Sequence, residues 1–423
     1  MMYKDEQLKQ GIKLHTIDTD KFKTNLIALF LTTELNRENV TKNAMVSTIL
    51  RRGSSNMPTQ EDISKKMEEM YGAGFDCGLD KTGDNQVLKF YMEIIDDKFL
   101  PQEGENMLEL AVENLFDIVF NPYIENDSFK DEYIEQEKNN IKQKIEGKID
   151  NKARYAMDRC IEEMYPETPF GLYKFGYIKD LDEINGENLY EYYKELINSC
   201  KIDIFVSGNI NDETKKIIES NENIKKLQER YPKYQIPKMH LKEVNQKENV
   251  VTESMDVTQG KLVLGLDINL DQEELKYPAL IYNSILGGTA NSKMFQNVRE
   301  KAHLAYVASS SYLRYKNNIF INCGIEINNY YKALDLVRKQ IKDMEKGNFT
   351  EEDIANAKKG IVATIKTIED EQDTGITYYF GQELTQSKVS LDEYMKKVQN
   401  VSKDEIIDIA KRVNINTIYF LKD

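Results

Sequence analysis

Tryptophan is absent from this chain of 423 residues, and cysteine and histidine are scarce, with four and three copies. Each scarcity excludes something. Cys77, Cys160, Cys200 and Cys323 are scattered with no C-x-x-C spacing, which argues against a disulfide framework or a cysteine-rich zinc site and points to a reducing compartment. His15, His240 and His303 lie far apart in sequence, so there is no local two-histidine metal motif. No apolar run reaches the ~18 residues that a spanning helix needs. The opening MMYKDEQLKQGIK carries no apolar h-region, so the expectation is a cytoplasmic protein without a signal peptide or membrane anchor. Basic residues number 57 against 72 acidic ones, a net charge of −15, which makes a long phosphate-binding surface and a nucleic-acid partner unexpected. Gly287-Gly288-Thr289 is not followed by the Gly-Lys-Ser/Thr of a P-loop, and no G-x-S-x-G elbow occurs.

What remains is a globular composition, 40% hydrophobic and 30% charged, arranged as an internal echo. Asn25-Leu-Ile-Ala-Leu-Phe-Leu-Thr-Thr33 reads as a buried strand followed by a helix that ends in Ser47-Thr-Ile-Leu-Arg-Arg-Gly53. Lys261-Leu-Val-Leu-Gly-Leu-Asp-Ile268 and the helix Pro278–Gly288 repeat that order. Leu26 and Leu262, and Ile49-Leu50 and Ile285-Leu286, share an offset of 236 positions. In the first half a Thr59-x-x-Asp62 capping signal opens a helix with Ile63, Met67, Met70 and Tyr71 on one face. A hairpin, Phe75–Lys81 and Gln86–Ile95, turns at Thr-Gly-Asp-Asn. In the second half a helix covers Met294–Glu300, and the hairpin joins Ala305–Leu313 to Asn318–Ile327. Met107, Leu108, Ala111, Leu115 and Ile118 line a helix face in one half; Ala333, Leu334, Val337 and Ile341 do so in the other.

Each half closes on a helix and a strand. Leu189–Cys200 precedes Lys201–Ser207, and the box Ser402-x-x-Glu405 opens a helix to Val413 before Thr417–Leu421. The tract Asp131–Glu163 reads as one long charged helical stretch with Ile134, Ile141, Ile145 and Tyr155 as partial core. These elements give an α+β fold of two tandem homologous α/β-sandwich halves with mixed or antiparallel sheets. The halves are 1–228 and 254–423, with a poorly patterned linker, 229–253, between them.

The string Ile285-Leu-Gly-Gly-Thr-Ala-Asn-Ser-Lys-Met-Phe-Gln-Asn-Val-Arg299-Glu-Lys-Ala-His-Leu-Ala-Tyr306 closely resembles a segment of the pitrilysin/insulinase/mitochondrial processing peptidase family of zinc peptidases. The duplicated halves extend that resemblance over nearly the whole chain, and imply that family's clamshell fold. The stretch from Glu137 to Ala156 resembles a bacterial subgroup associated with modification of elongation factor P. In the family, an H-x-x-E-H helix binds zinc through two histidines and activates water through the glutamate. Here Ala44 and Thr48 stand at the histidine positions and Ser47 at the glutamate. The family's third ligand ends an E-x6-E pattern. The matching pattern runs from Glu137 to Lys144 and ends in a cation that repels a metal.

The resemblance implies a second functional pair, an arginine and a tyrosine seven residues apart, matched by Arg299 and Tyr306. An arginine offers a permanent charge and a phenol a directed donor, both suited to an oxyanion. Taken alone, Arg299 would make a helix-end ion pair and Tyr306 would pack in a strand. The matching string turns the reading toward substrate binding and oxyanion stabilisation in trans, while His15, His240 and His303 read as packing, surface or local structure. The expected protein is a catalytically inactive, zinc-less subunit that holds no cofactor itself. Its expected partners are a zinc-bearing homologous subunit and a peptide or small-protein substrate. The alternative is a non-enzymatic structural or peptide-binding module of the same fold.

Overall fold

The computed structural model describes residues 2–101, 106–237 and 247–423. His240 and the middle of the expected linker lie outside them. The chain forms two compact units, and neither is continuous in sequence. The first comprises Met1–Glu146, Leu172–Ile236 and Ile368–Leu384; the second comprises Gly147–Gly171, Pro237–Thr367 and Thr385–Asp423. The expected halves were 1–228 and 254–423; the units differ from them in two exchanged helices, Lys152–Met164 and Gln372–Leu384.

The first unit is built on β1 (Met2–Lys9), β2 (Ile12–Asp18), β3 (Thr24–Glu34), β4 (Gly74–Thr82) and β5 (Asn85–Ile95). A small hairpin, β6 (Ile124–Glu125) and β7 (Ser128–Phe129), lies apart, and β8 (Lys201–Gly208) completes the main sheet. The strand order is β1-β2-β8-β3-β5-β4, with β2 and β8 parallel and the other pairs antiparallel. The β4–β5 hairpin turns through Gly83, whose φ of 59° is in the left-handed region that glycine enters without steric cost.

Side chains alternate across these strands. On one face Ile27, Leu29, Leu31, Leu88, Phe90, Ile202 and Ile204 form a core with the helices Val40–Ile49, Met107–Phe120 and Gly186–Ser199. On the other face Phe30 and Phe205 meet Phe380 of the helix Gln372–Leu384, with ring centroids 4.9 and 6.4 Å apart. Both faces are covered, so β3 and β8 are buried along most of their length.

That second face also carries charge. His15 and Asp203 are fully buried, and Lys201 is 8% exposed. Tyr3 Oη and His15 Nδ1 lie 2.8 Å apart, and His15 Nε2 lies 2.9 Å from Asp203 Oδ1. Lys201 pairs with Asp203 and, at 3.1 Å, with Glu383 of the helix Gln372–Leu384. Glu383 also accepts from Lys13 at 2.8 Å, and Lys13 pairs with Asp5 at 2.6 Å.

The second unit contains β9 (Asn249–Ser254), β10 (Gly260–Ile268), β11 (Ala305–Leu313), β12 (Asn318–Ile325) and β13 (Val413–Lys422). The order is β11-β12-β10-β13-β9, with only β13 and β9 parallel. With β1 set aside, this matches the first sheet strand for strand. The helix Lys152–Met164 lays Ala156, Cys160, Ile161 and Met164 against Val263, Phe320, Tyr419 and Leu421. Gly265 makes that approach possible, since a Cβ there would stand 2.7 Å from Met164 Sδ. Glu253 on β9 accepts from Tyr155 (2.5 Å), Tyr419 (2.7 Å) and Arg159 (3.1 Å).

The expected single tract Asp131–Glu163 is two helices, Asp131–Glu146 and Lys152–Met164, broken at Gly147–Ile149 and serving different units. Asn151 starts the second by accepting from the Arg154 N–H. The expected linker contains β9, and its first residues run along the first unit, where Asn85 bonds the Gln235 backbone through both its amide groups. The Ser402–Glu405 capping box forms, but its helix ends at Lys411 and Val413 opens β13. Gln340 takes a buried place where Ile341 was expected, and its amide oxygen accepts from Asn297 at 2.7 Å.

Glu383→Gln removes the carboxylate shared by Lys201 and Lys13, which keep Asp203 and Asp5, and should destabilise the protein by about 1–3 kcal/mol in urea titration, the range for losing charge-assisted hydrogen bonds. Burial pushes Asp203 up, but Lys201 and His15 more than offset it and hold it at about 2. Glu383 is lowered too, with Lys201 and Lys13 overcoming its burial. Both carboxylates are therefore depressed on folding. Their contribution is complete above the ordinary carboxylate range near ~4 and is lost as pH falls toward the folded values. The urea midpoint should drop over that acid window, and Asp203→Asn should flatten the drop while lowering the neutral-pH midpoint.

Candidate functional site

In the first unit the helix Val40–Ile49 carries the positions that the family resemblance sets against the zinc motif. Ala44 is fully buried and belongs to the core. Ser47 donates its hydroxyl to the Ala44 carbonyl at 2.8 Å, and Thr48 donates to Met45 at 3.0 Å and Ala44 at 3.4 Å. Both hydroxyls are thus spent on the carbonyls of their own helix, three or four residues back. Cys77 on β4 reaches the Ser47 carbonyl through its thiol at 3.5 Å, and burial pushes that thiol up to about 11.

The helix Asp131–Glu146 packs beside this one. Between them a cavity of about 500 Å³ is lined by residues including Thr48, Arg51, Arg52, Glu137, Asn140 and Lys144. Thr48 and Lys144 are therefore brought together, while Ala44 and Ser47 do not line the cavity. Glu137, 3% exposed, forms an ion pair with Arg52 Nε and accepts from Asn140 Nδ2 at 3.2 Å. Lys144 is exposed and lies over the Phe175 ring at 5.3 Å.

These residues do not fit zinc. One of the matched positions has no donor, two have hydroxyls committed to backbone, and one is an ammonium. Among the described residues there is no group of three His, Cys, Asp or Glu side chains able to hold a metal.

In the second unit the helix Lys276–Asn283 widens into a π-helical turn at Ser284–Gly288, and a second π-helical segment spans Met294–Lys301. Such segments are rare and concentrate at functional sites. The Leu-Gly-Gly of the family string has a packing reason: a Cβ on Gly287 would stand 2.5 Å from the backbone nitrogen of Ser310 on β11. Ser310 donates its hydroxyl to Asn283 Oδ1 at 2.8 Å on the same seam.

Arg299 stands near the end of the second π-helical segment. Its guanidinium lies over Phe295 at 4.5 Å from the ring centroid and 3.5 Å from Glu300, with the side chain 42% exposed. His303 makes the turn into β11 with a φ of 52°, and the Leu304 N–H closes it on the Val298 carbonyl at 3.1 Å. Tyr306 falls where the β11–β12 register slips between Ala305 and Val307. A bulge at such a point re-aims a side chain, and Tyr306 is 65% exposed. The strand-packing alternative for Tyr306 thus fails, while the ion pair to Arg299 is present but short-range and open to solvent. β11 is the outermost strand of its sheet.

Two α+β units with the same strand order define a homologue of the peptidase M16 metalloproteases. The model of the Peptidase M16 inactive domain matches residues 183–361. The chain is 32% identical over 413 residues, covering 97% of this chain and 96% of the relative, to the probable inactive metalloprotease YmfF of Bacillus subtilis (strain 168). The chain belongs to the peptidase M16 family and is an inactive M16-type metalloprotease homologue. Its fold matches a conserved protein from Enterococcus faecalis V583 with a TM-score of 0.91 and 27% identity, over 99% of this chain and 98% of the other. A peptidase M16 inactive domain from Pseudomonas fluorescens matches with a TM-score of 0.81 and 16% identity, over 100% and 98%. No helix among the described residues is long and apolar enough to cross a membrane.

Gly287→Ala should cost about 1–3 kcal/mol in thermal or urea unfolding, because the added methyl meets backbone that cannot swing aside. Gly72→Ala is not a fair control, since its φ of 77° is strained for alanine. Gly360→Ala, which has open space at its Cβ, should not destabilise.

Proposed function

We propose that this chain is the zinc-less subunit of a heterodimeric metallopeptidase. It binds the peptide and supplies Arg299 and Tyr306 to the substrate, while a homologous subunit carrying H-x-x-E-H supplies zinc and the water-activating glutamate. The observation that carries this reading is Tyr306. A large aromatic held out to solvent by a register slip, at the start of an edge strand and after a tight turn from Arg299, stabilises nothing in its own sheet. A guanidinium and a phenol on adjoining segments are donors suited to the oxyanion of a tetrahedral intermediate. The outer edge of β11 offers unpaired backbone groups for an extended peptide to add as a strand. Buried, unpaired Cys160, Cys200 and Cys323 accord with a reducing, cytoplasmic setting.

The test is reconstitution with a homologue bearing the intact zinc motif. A complex should form and should cleave peptides faster than the homologue alone. Arg299→Ala should lower kcat of the complex by about 10²–10³, the range for losing one oxyanion donor. Tyr306→Phe should lower it less, with assembly intact by size-exclusion chromatography. Wild-type kcat in both variants would make the chain a structural or peptide-binding module instead, and the absence of any complex would remove the subunit reading.

A further inference from the structure

The cavity beside the disabled zinc helix has the opposite electrostatics from a metal site. Arg51, Arg52 and Lys144 face a single carboxylate, Glu137, in a chain that is acidic overall. Arg51 and Lys144 have no carboxylate partner among the described residues. Arg52 is fixed from two sides. Its Nε is engaged by Glu137, and its guanidinium lies over the Tyr133 ring at 5.8 Å from the centroid. Glu137 is itself steadied by Asn140. This leaves the two terminal nitrogens of Arg52 outside the ion pair and pre-positioned, which is the arrangement that recognises planar or tetrahedral oxyanions. Asn140 and Thr48 add polar groups to the same wall.

We infer that this cavity is an oxyanion site, taking a carboxylate or phosphate group where the family holds a cation. The inference concerns the first unit alone and does not depend on the partner subunit or on Arg299 and Tyr306. Glu137 serves as the positioning residue that presents Arg52, and Arg51 and Lys144 supply the remaining charge. The overall negative charge of the chain opposes anion approach only at long range, where salt screens it; inside the cavity the three nearby cations prevail.

Calorimetric titration of the full-length protein tests this with three probes: inorganic phosphate, the peptide acetyl-Glu-Glu-amide, and its neutral counterpart acetyl-Gln-Gln-amide. Saturable binding is expected for at least one of the two anions and none for the neutral peptide. Whether phosphate or the acidic peptide saturates tells which source of oxyanion the site takes. The double variant Arg51→Gln, Lys144→Gln, altered only at exposed side chains, should keep the wild-type circular dichroism. It should also bind about tenfold more weakly or worse, as expected for losing charge-assisted contacts. Heat from neither anion, binding unchanged in the double variant, or equal binding of the neutral peptide would overturn the inference, as would stoichiometric zinc retained after dialysis.

Discussion

The structure of the first unit depends on a charge pair that the chain completes only near its far end. Asp203 and Lys201 sit on a central strand with almost no solvent contact. Burying either alone costs several kcal/mol, and even the pair leaves Lys201 with capacity to spare. Glu383 gives Lys201 a second carboxylate, and Phe380 and Tyr379 on the same helix cover the aromatic side chains beside it. The face of the sheet that carries Lys13, His15, Lys201 and Asp203 cannot be left open, because those residues need both exclusion of water from their apolar neighbours and partners for their charges. The helix Gln372–Leu384 provides the two together. A long-range contact of this kind raises contact order, and the first unit cannot finish folding before the chain is nearly complete.

The second unit solves the same topological problem with different chemistry. Its sheet repeats the first in strand order, and it too takes a helix, Lys152–Met164, from the other half of the sequence. Here the seam is apolar, with Met164 and Cys160 against the bare backbone of Gly265, and the polar fastening sits at the edge, where Glu253 gathers two phenols and Arg159. Burial holds Glu253 up while Tyr155, Tyr419 and Arg159 draw it down, and the net shift is downward. Duplication has thus preserved the backbone plan while the interactions that seat the covering helix diverged. Backbone geometry constrains strand order tightly; the side chains on a covered face need only fill space and satisfy their charges.

This separation explains which features were legible in the sequence. The strands read in both halves, the hairpin turn at Gly83 and the capping boxes at Thr59 and Ser402 are local patterns, and each appears in the fold. The helix exchange is not local. Nothing in the run Asp131–Glu163 marks Ala156 and Cys160 as belonging with Val263, because periodicity identifies an apolar face without naming what it meets. His15 illustrates the same limit: its contact with Asp203 spans 188 positions of sequence. In the candidate site, the spacing of Arg299 and Tyr306 was visible, but the outward turn of Tyr306 depends on a slip in register that no single-strand pattern encodes. The Arg52–Glu137 pair was missed, although two adjacent arginines at the end of the helix Val40–Ile49 were a signal of a cationic wall.

The cationic lining of that cavity bears on what a zinc site there would need. Removing one ligand from a zinc site leaves a weakened cation site with its remaining donors still facing inward. At the positions that the family resemblance sets against the zinc motif, the side chains satisfy themselves. Ser47 and Thr48 bond their own helix, Ala44 joins the core, and Lys144 stands against Phe175. Restoring a single histidine at Thr48 would place one neutral nitrogen near Arg51, Arg52 and Lys144, and those charges would oppose a divalent ion more strongly than one nitrogen attracts it. The positions are therefore coupled: a histidine at Thr48 alone does not turn the cavity toward zinc. In the second unit, by contrast, Gly287 still admits β11 and the segment still delivers Arg299 and an exposed Tyr306.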